Sequence, residues 1–128
     1  MTPIRVLLVE DNDVFRESLV FLLRRQPDVE VVGAVADGSS AGPACAELEA
    51  DVVVIDYRLP DVDGAEVAEA VRDRCPAASV VFLSASAGEE EREAARSSGA
   101  PLVRKDEGID ALVAAVRAAV GSEGRREP

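Results

Sequence analysis

The 128 residues amount to one domain, with 25 acidic against 14 basic side chains and a formal net charge of −11. A surface that acidic repels phosphate backbones and anionic lipid, so no direct nucleic-acid or membrane partner is expected. The absence of histidine removes Ser-His-Asp hydrolysis and His-ligated metals, and an aromatic content of 3% without tryptophan leaves no stacking platform for bases or sugars.

The chain alternates short apolar runs with helical stripes. Val6-Leu7-Leu8-Val9 reads as a strand covered on both faces, inside a run from Ile4 to Val9. Asp13 is the expected N-cap of a helix with Phe15, Leu19 and Leu22 as its apolar stripe, stopped by Pro27. Val29 to Val35 is a second strand. Gly38-Ser39-Ser40 breaks the chain, a serine there is placed to cap, and Ala41, Ala44, Cys45 and Leu48 follow at helical spacing. Val52-Val53-Val54-Ile55 is the most apolar strand and ends in Asp56, before a loop with Pro60, Asp61, Asp63 and Gly64. Val67, Ala70, Val71 and Cys75 form the next stripe. Val80 to Leu83 is a fourth strand, ending in Ser84. Residues 88–98 form a weak helix with little to bury beyond Ala94 and Ala95, and Glu89-Glu90-Glu91 reads as its solvated start. Leu102-Val103 is a brief fifth strand. Ile109, Leu112, Val113, Val116 and Val120 mark a last amphipathic helix that Gly121 ends, leaving residues 122–128 as a polar tail or linker. The expected domain is therefore residues 1–121.

Cys45 and Cys75 lie on helical stripes and read as small buried groups rather than redox sensors. Two cysteines without CxxC spacing, no basic-then-apolar leader and no long apolar run point to a soluble, cytoplasmic chain. Five strands alternating with helices imply an α/β fold with a doubly wound parallel sheet and helices on both faces.

Ligands of such sheets bind beyond the carboxyl ends of the strands. Glu10 and Asp11 follow the first strand, Asp56 ends the third, Ser84 the fourth, and Lys105 follows the fifth. Carboxylates ~4 Å apart repel by about 4 kcal/mol at an effective dielectric of about 20, so the pocket needs positive charge. Lys105 offers one unit and Mg²⁺ two. Oxygen donors without His or paired Cys suit Mg²⁺ rather than zinc. Carboxylates, a hydroxyl, a lysine and Mg²⁺ are a phosphoryl-transfer kit in which an aspartate can be the nucleophile.

Val9-Glu10-Asp11-Asn12, Asp56 to Gly64, Leu83-Ser84-Ala85 and Lys105-Asp106, each at a strand end and in this order, resemble the CheY-like receiver domain of two-component response regulators. The resemblance covers residues 3–120. It implies the flavodoxin-like strand order 2-1-3-4-5. It also implies Asp56 as phosphoacceptor, Asp11 as direct Mg²⁺ ligand, Glu10 as the outer acidic partner and the Arg58 backbone carbonyl completing the metal shell. Lys105 and Ser84 would sense the phosphoryl group, and a phosphohistidine on a sensor histidine kinase would supply it. Lys105-Asp106 and Arg58 are similar to the LuxR/NarL type. The resemblance implies a switch rather than a metabolic enzyme, with only self-catalysed phosphoryl transfer and dephosphorylation. A homodimer and an additional C-terminal DNA-binding output domain are compatible with it. Arg58 and Ser86 flank the pocket and are expected to tune how long the phosphoryl group lasts.

The sequence departs from the family pattern in one region. Leu102 stands where an aromatic switch residue is usual, after Pro101, and the segment from Ser84 to Lys105 is slightly short. This motivates an alternative: an atypical receiver acting as a phosphorylation-independent interaction or dimerisation module. A second alternative is a small Mg²⁺-dependent phosphatase with an aspartate nucleophile; the phosphatase family it would resemble typically has a second aspartate two residues further on as general acid, where Arg58 stands.

Overall fold

The computed structural model describes residues 2–85 and 88–123, with the backbone alone for 121–123. Ser86 therefore lies outside the described residues. The elements are β1 (Ile4–Val9), α1 (Asp13–Arg24), β2 (Val29–Val35), α2 (Ala41–Leu48), β3 (Val52–Asp56), α3 (Gly64–Arg74), β4 (Ser79–Ser84), α4 (Glu89–Ser98), β5 (Leu102–Arg104) and α5 (Ile109–Glu123). Short 3₁₀ turns, Gly38–Ser40 and Lys105–Glu107, precede α2 and α5.

All strand pairings are parallel, and the sheet runs β2-β1-β3-β4-β5, the expected order. Side chains alternate across a strand, so each apolar run splits between two cores. Leu7, Val9, Val53, Ile55, Val80 and Phe82 face α2, α3 and α4 with Cys45, Val67, Val71 and Ala95. Val6, Leu8, Val52, Val54, Val81 and Leu83 face α1 and α5 with Leu19, Leu23, Leu112, Val113 and Val116. β1 is an interior strand, and the chain leaves it first toward β2 and then returns to build β3 on its other side. The carboxyl ends of β1 and β3 therefore flank the crevice where the winding reverses.

Several local expectations are corrected. Asn12, not Asp13, caps α1: its Oδ1 accepts from the Phe15 amide at 2.8 Å. Leu23 rather than Leu22 is buried, because the step from Leu19 toward the sheet is i+4, and Leu22 is exposed. Likewise Ala68, not Ala70, lies in the α3 core, and Val120 at the end of α5 yields to Ala119. Ser40 stands at the N-cap of α2 but makes no side-chain capping bond; the cap is on the preceding 3₁₀ turn, where Asp37 Oδ1 accepts from the Ser40 amide at 2.9 Å and the Ser40 hydroxyl at 2.6 Å. α5 runs through Gly121 to Glu123, past the expected boundary at 121. Glu91 is not part of a solvated helix start: it is buried.

Two glycines answer specific geometry. Gly99 ends α4 at φ 69°, in the left-handed region. Gly64 starts α3 so close to Tyr57 that a Cβ would stand 2.9 Å from Tyr57 backbone atoms. Because the Asn12 cap satisfies an otherwise orphaned amide, Asn12→Ala lowers the stability by about 1 kcal/mol. An unmoved urea midpoint would contradict that cap.

Candidate functional site at the carboxyl edge of the sheet

Glu10 follows β1 and is fully buried. Its Oε2 accepts from the Asn12 amide at 3.0 Å, which aims the carboxylate along the sheet edge. Arg16 donates to the Glu10 carbonyl at 2.9 Å and pairs with Asp13 at 2.7 Å, pinning the strand exit to α1. Asp56 is the last residue of β3 and is also buried, because this strand lies between β1 and β4 with helices on both faces. Its Oδ1 accepts from the Arg58 amide at 3.1 Å. Asp11 is exposed at the rim. Ligand oxygens of Glu10, Asp11 and Asp56 lie within 4.8 Å of one another.

Lys105 begins the 3₁₀ turn after β5 and reaches back across the edge. Its Nζ stands 3.0 Å from Glu10 Oε1 and donates to Asp56 Oδ2 at 3.2 Å. The ammonium also lies 4.6 Å from the centre of the Phe15 ring, a cation–π contact that flanks it on the α1 side. Ser84 is fully buried at the end of β4. Asp56 is in register with Leu83, so Ser84 stands one position beyond it at the same edge.

Burial pushes the Glu10 carboxyl above its ordinary value, against the lowering effects of the Asn12 amide and Lys105. Burial alone would lower the Lys105 ammonium, but its close pairing with Glu10 and the charges of Asp56 and Glu10 outweigh this and raise it. Lys105 is thus charged throughout the neutral range. It supplies one positive charge against three clustered carboxylates.

The donor set fits a hard divalent cation. The cluster offers only carboxylate oxygens. Glu10 Oε1 is shielded from solvent and meets Lys105 as an ion pair, without a well-angled hydrogen bond, so it keeps acceptor capacity. Magnesium accepts such oxygens while retaining waters.

The structure brings together Glu10, Asp11, Asp56 and Lys105, puts Ser84 on the same edge and roots Arg58 beside Asp56. Sequence reasoning placed Arg58 beside the pocket but missed its pairing with Glu91, and it missed the Arg16 clamp and the Phe15 ring beside Lys105. Arg58 Nη2 pairs with the buried Glu91 Oε2 at 2.8 Å. Asn12 and Arg16 are local to Glu10 and could have been found from their spacing. The other two contacts join segments with no shared local pattern.

An open doubly wound domain carries its ligand site at the switch point, and here that point holds a carboxylate cluster and a lysine. Residues 6–117 match the response regulator receiver domain family, and the chain belongs to it. It is 38% identical to the protein-glutamate methylesterase/protein-glutamine glutaminase 5 of Myxococcus xanthus, in an alignment covering all of this chain and 40% of that protein. It is 42% identical to the corresponding protein of a Nocardioides species over 56% of this chain and 20% of the other. The chain spans well under half the length of these relatives, and the methylesterase and glutaminase activities are theirs. Among solved structures, the signal receiver domain of NarL from Mycobacterium tuberculosis superposes with a TM-score of 0.82 at 31% identity, covering 98% of this chain and all of that one. The response regulator domain of Thermotoga maritima CheB does so with a TM-score of 0.83 at 28% identity, covering 93% and 97%. No helix among the described residues is long and apolar enough to cross a membrane.

Proposed function

We infer that this receiver is a working phosphoacceptor switch, with Asp56 as the acceptor. The observation that carries this reading is the placement of buried Asp56 beside Lys105, with buried Glu10 and rim-exposed Asp11, at the sheet's switch point. An Asp56 carboxylate oxygen attacks the phosphorus of a phosphohistidine on a sensor kinase. The P–N bond breaks, and the departing imidazole nitrogen takes up a proton. Lys105 faces the charge that develops on the phosphoryl oxygens, and the Ser84 hydroxyl donates to one of them. Glu10, Asp11, Asp56 and the Arg58 carbonyl would hold Mg²⁺, which supplies charge neutralisation during transfer. Burial of Asp56 limits water at the acyl phosphate, so the modified state persists long enough to signal. The chain turns over no metabolite, since transfer and hydrolysis both occur on its own aspartate.

The test is intact mass after incubation with acetyl phosphate and Mg²⁺. One phosphoryl adduct is expected in the parent protein, and none in Asp56→Asn or without metal. A folded protein that takes no adduct from acetyl phosphate or from a phosphorylated kinase would overturn this reading. It would favour the phosphorylation-independent interaction module that Leu102 suggests.

A further inference from the structure

The acceptor loop is tied to α4 by one arginine. Arg58 is rooted at the pocket through its amide, 3.1 Å from Asp56 Oδ1, and pairs with Asp63 in a short bridge that closes the loop. Its side chain passes beside the Tyr57 ring, with the guanidinium carbon 5.7 Å from the ring centre, and ends on the first turn of α4. There Nη2 stands 2.8 Å from Glu91 Oε2 and 3.6 Å from Glu90 Oε1. The two partners differ in burial: the Arg58 side chain is 60% exposed and that of Glu91 is 3% exposed. A buried carboxylate depends on its compensating cation, and here that cation belongs to the acceptor loop. Glu91 and Ala95 are the buried residues of α4, and the Arg58–Glu91 pair is one of the contacts that holds its first turn.

We propose that the Arg58 guanidinium exchanges partners, leaving Glu91 for the phosphoryl oxygens when Asp56 is modified and so releasing the first turn of α4. The inference rests on the phosphoacceptor reading above. A phosphoryl group carries about two negative charges at neutral pH against the single charge of Glu91, and its oxygens match the arginine fork. The Arg58 side chain is mostly exposed, so turning it opens no core, whereas Lys105 is already held between Glu10 and Asp56. This route to α4 needs no aromatic ring at Leu102.

The test is hydrogen–deuterium exchange of α4 in the full chain, with the adduct quantified by intact mass in the same samples. Parent protein, Glu91→Gln and the surface variant Arg58→Ala are compared, each with and without acetyl phosphate and Mg²⁺. Phosphorylation is expected to speed α4 exchange about fivefold in the parent, the scale of a half-exposed ion pair. Both unmodified variants should already exchange at that faster rate, with no further gain on modification. The adduct should be lost faster from Arg58→Ala than from Glu91→Gln, which keeps the guanidinium and frees it. An adduct without any change in α4 exchange in the parent would overturn the partner exchange alone, leaving a purely structural ion pair. Absence of an adduct in every sample would overturn the phosphoacceptor reading and this inference with it.

Discussion

Phe82→Ala lowers the unfolding free energy by about 3–5 kcal/mol, the largest stability loss expected from one side chain in this domain. Phe82 is the largest fully buried side chain, at the middle of β4 between Ile55 and Leu102. Its ring meets Tyr57 edge to face, with centroids 5.9 Å apart and planes at 83°. Truncation leaves a cavity that strands on both sides prevent from collapsing, and it removes an aromatic pair that adds about 0.5–1.5 kcal/mol beyond area burial. Phe82→Leu, which refills most of the volume, should cost about half as much or less. Urea unfolding reads both values, with the denaturant slope unchanged. A loss below about 1.5 kcal/mol for Phe82→Ala would mean that the sheet relaxes into the cavity.

Lys105→Met has the second large effect, and it acts on stability and chemistry in opposite senses with respect to metal. Methionine keeps the apolar stem but removes the ammonium that lies 3.0 Å from Glu10 and 3.2 Å from Asp56. Two buried carboxylates then face each other within 4.8 Å. Their repulsion is about 3 kcal/mol at an effective dielectric of about 20, and a metal-free loss of about 2 kcal/mol is expected after relaxation and water entry. The pH dependence has a definite sign. Burial already raises Glu10, and losing Lys105 removes two influences that now lower it. A carboxyl raised in the folded state contributes stability below its ordinary value of 4.5, and that contribution is lost as pH rises through the raised folded value. The stability deficit of the variant should therefore shrink on acidification toward and below that value, and millimolar Mg²⁺ should shrink it at pH 7. Adduct formation from acetyl phosphate should nevertheless remain about 100-fold slower, because the cation facing the phosphoryl oxygens is gone. Equal adduct rates in parent and variant would remove Lys105 from the transfer chemistry.

The legible parts of the molecule were those with local signatures. β2 runs from Val29 to Val35 as its apolar pattern predicts, and Asp56 ends β3 where the apolar run breaks. Helical phase was less secure. Leu22 and Leu23 are both compatible with Leu19 on one stripe, and only the approach of α1 to the sheet selects Leu23. Asn12 and Asp13 are both good caps, and the choice depends on which backbone turns first into the helix. Glu91 was misplaced for a different reason: three successive glutamates read as solvated, and the arginine that buries one of them is 33 residues away.

By itself the sequence determined the alternation of strands and helices, the burial of the sheet on both faces and the arrival of Glu10, Asp11, Asp56, Ser84 and Lys105 at strand ends. Apolar period and chain polarity suffice for that, since parallel strands deliver all their carboxyl ends to one edge. The strand order itself was implied by family resemblance rather than by periodicity. The tertiary structure alone decided that Lys105 settles between Glu10 and Asp56 beside Phe15, and that Arg58 turns toward Glu91. Those contacts join residues far apart in the chain, and their energies depend on distance and burial that exist only once the sheet has closed and excluded water.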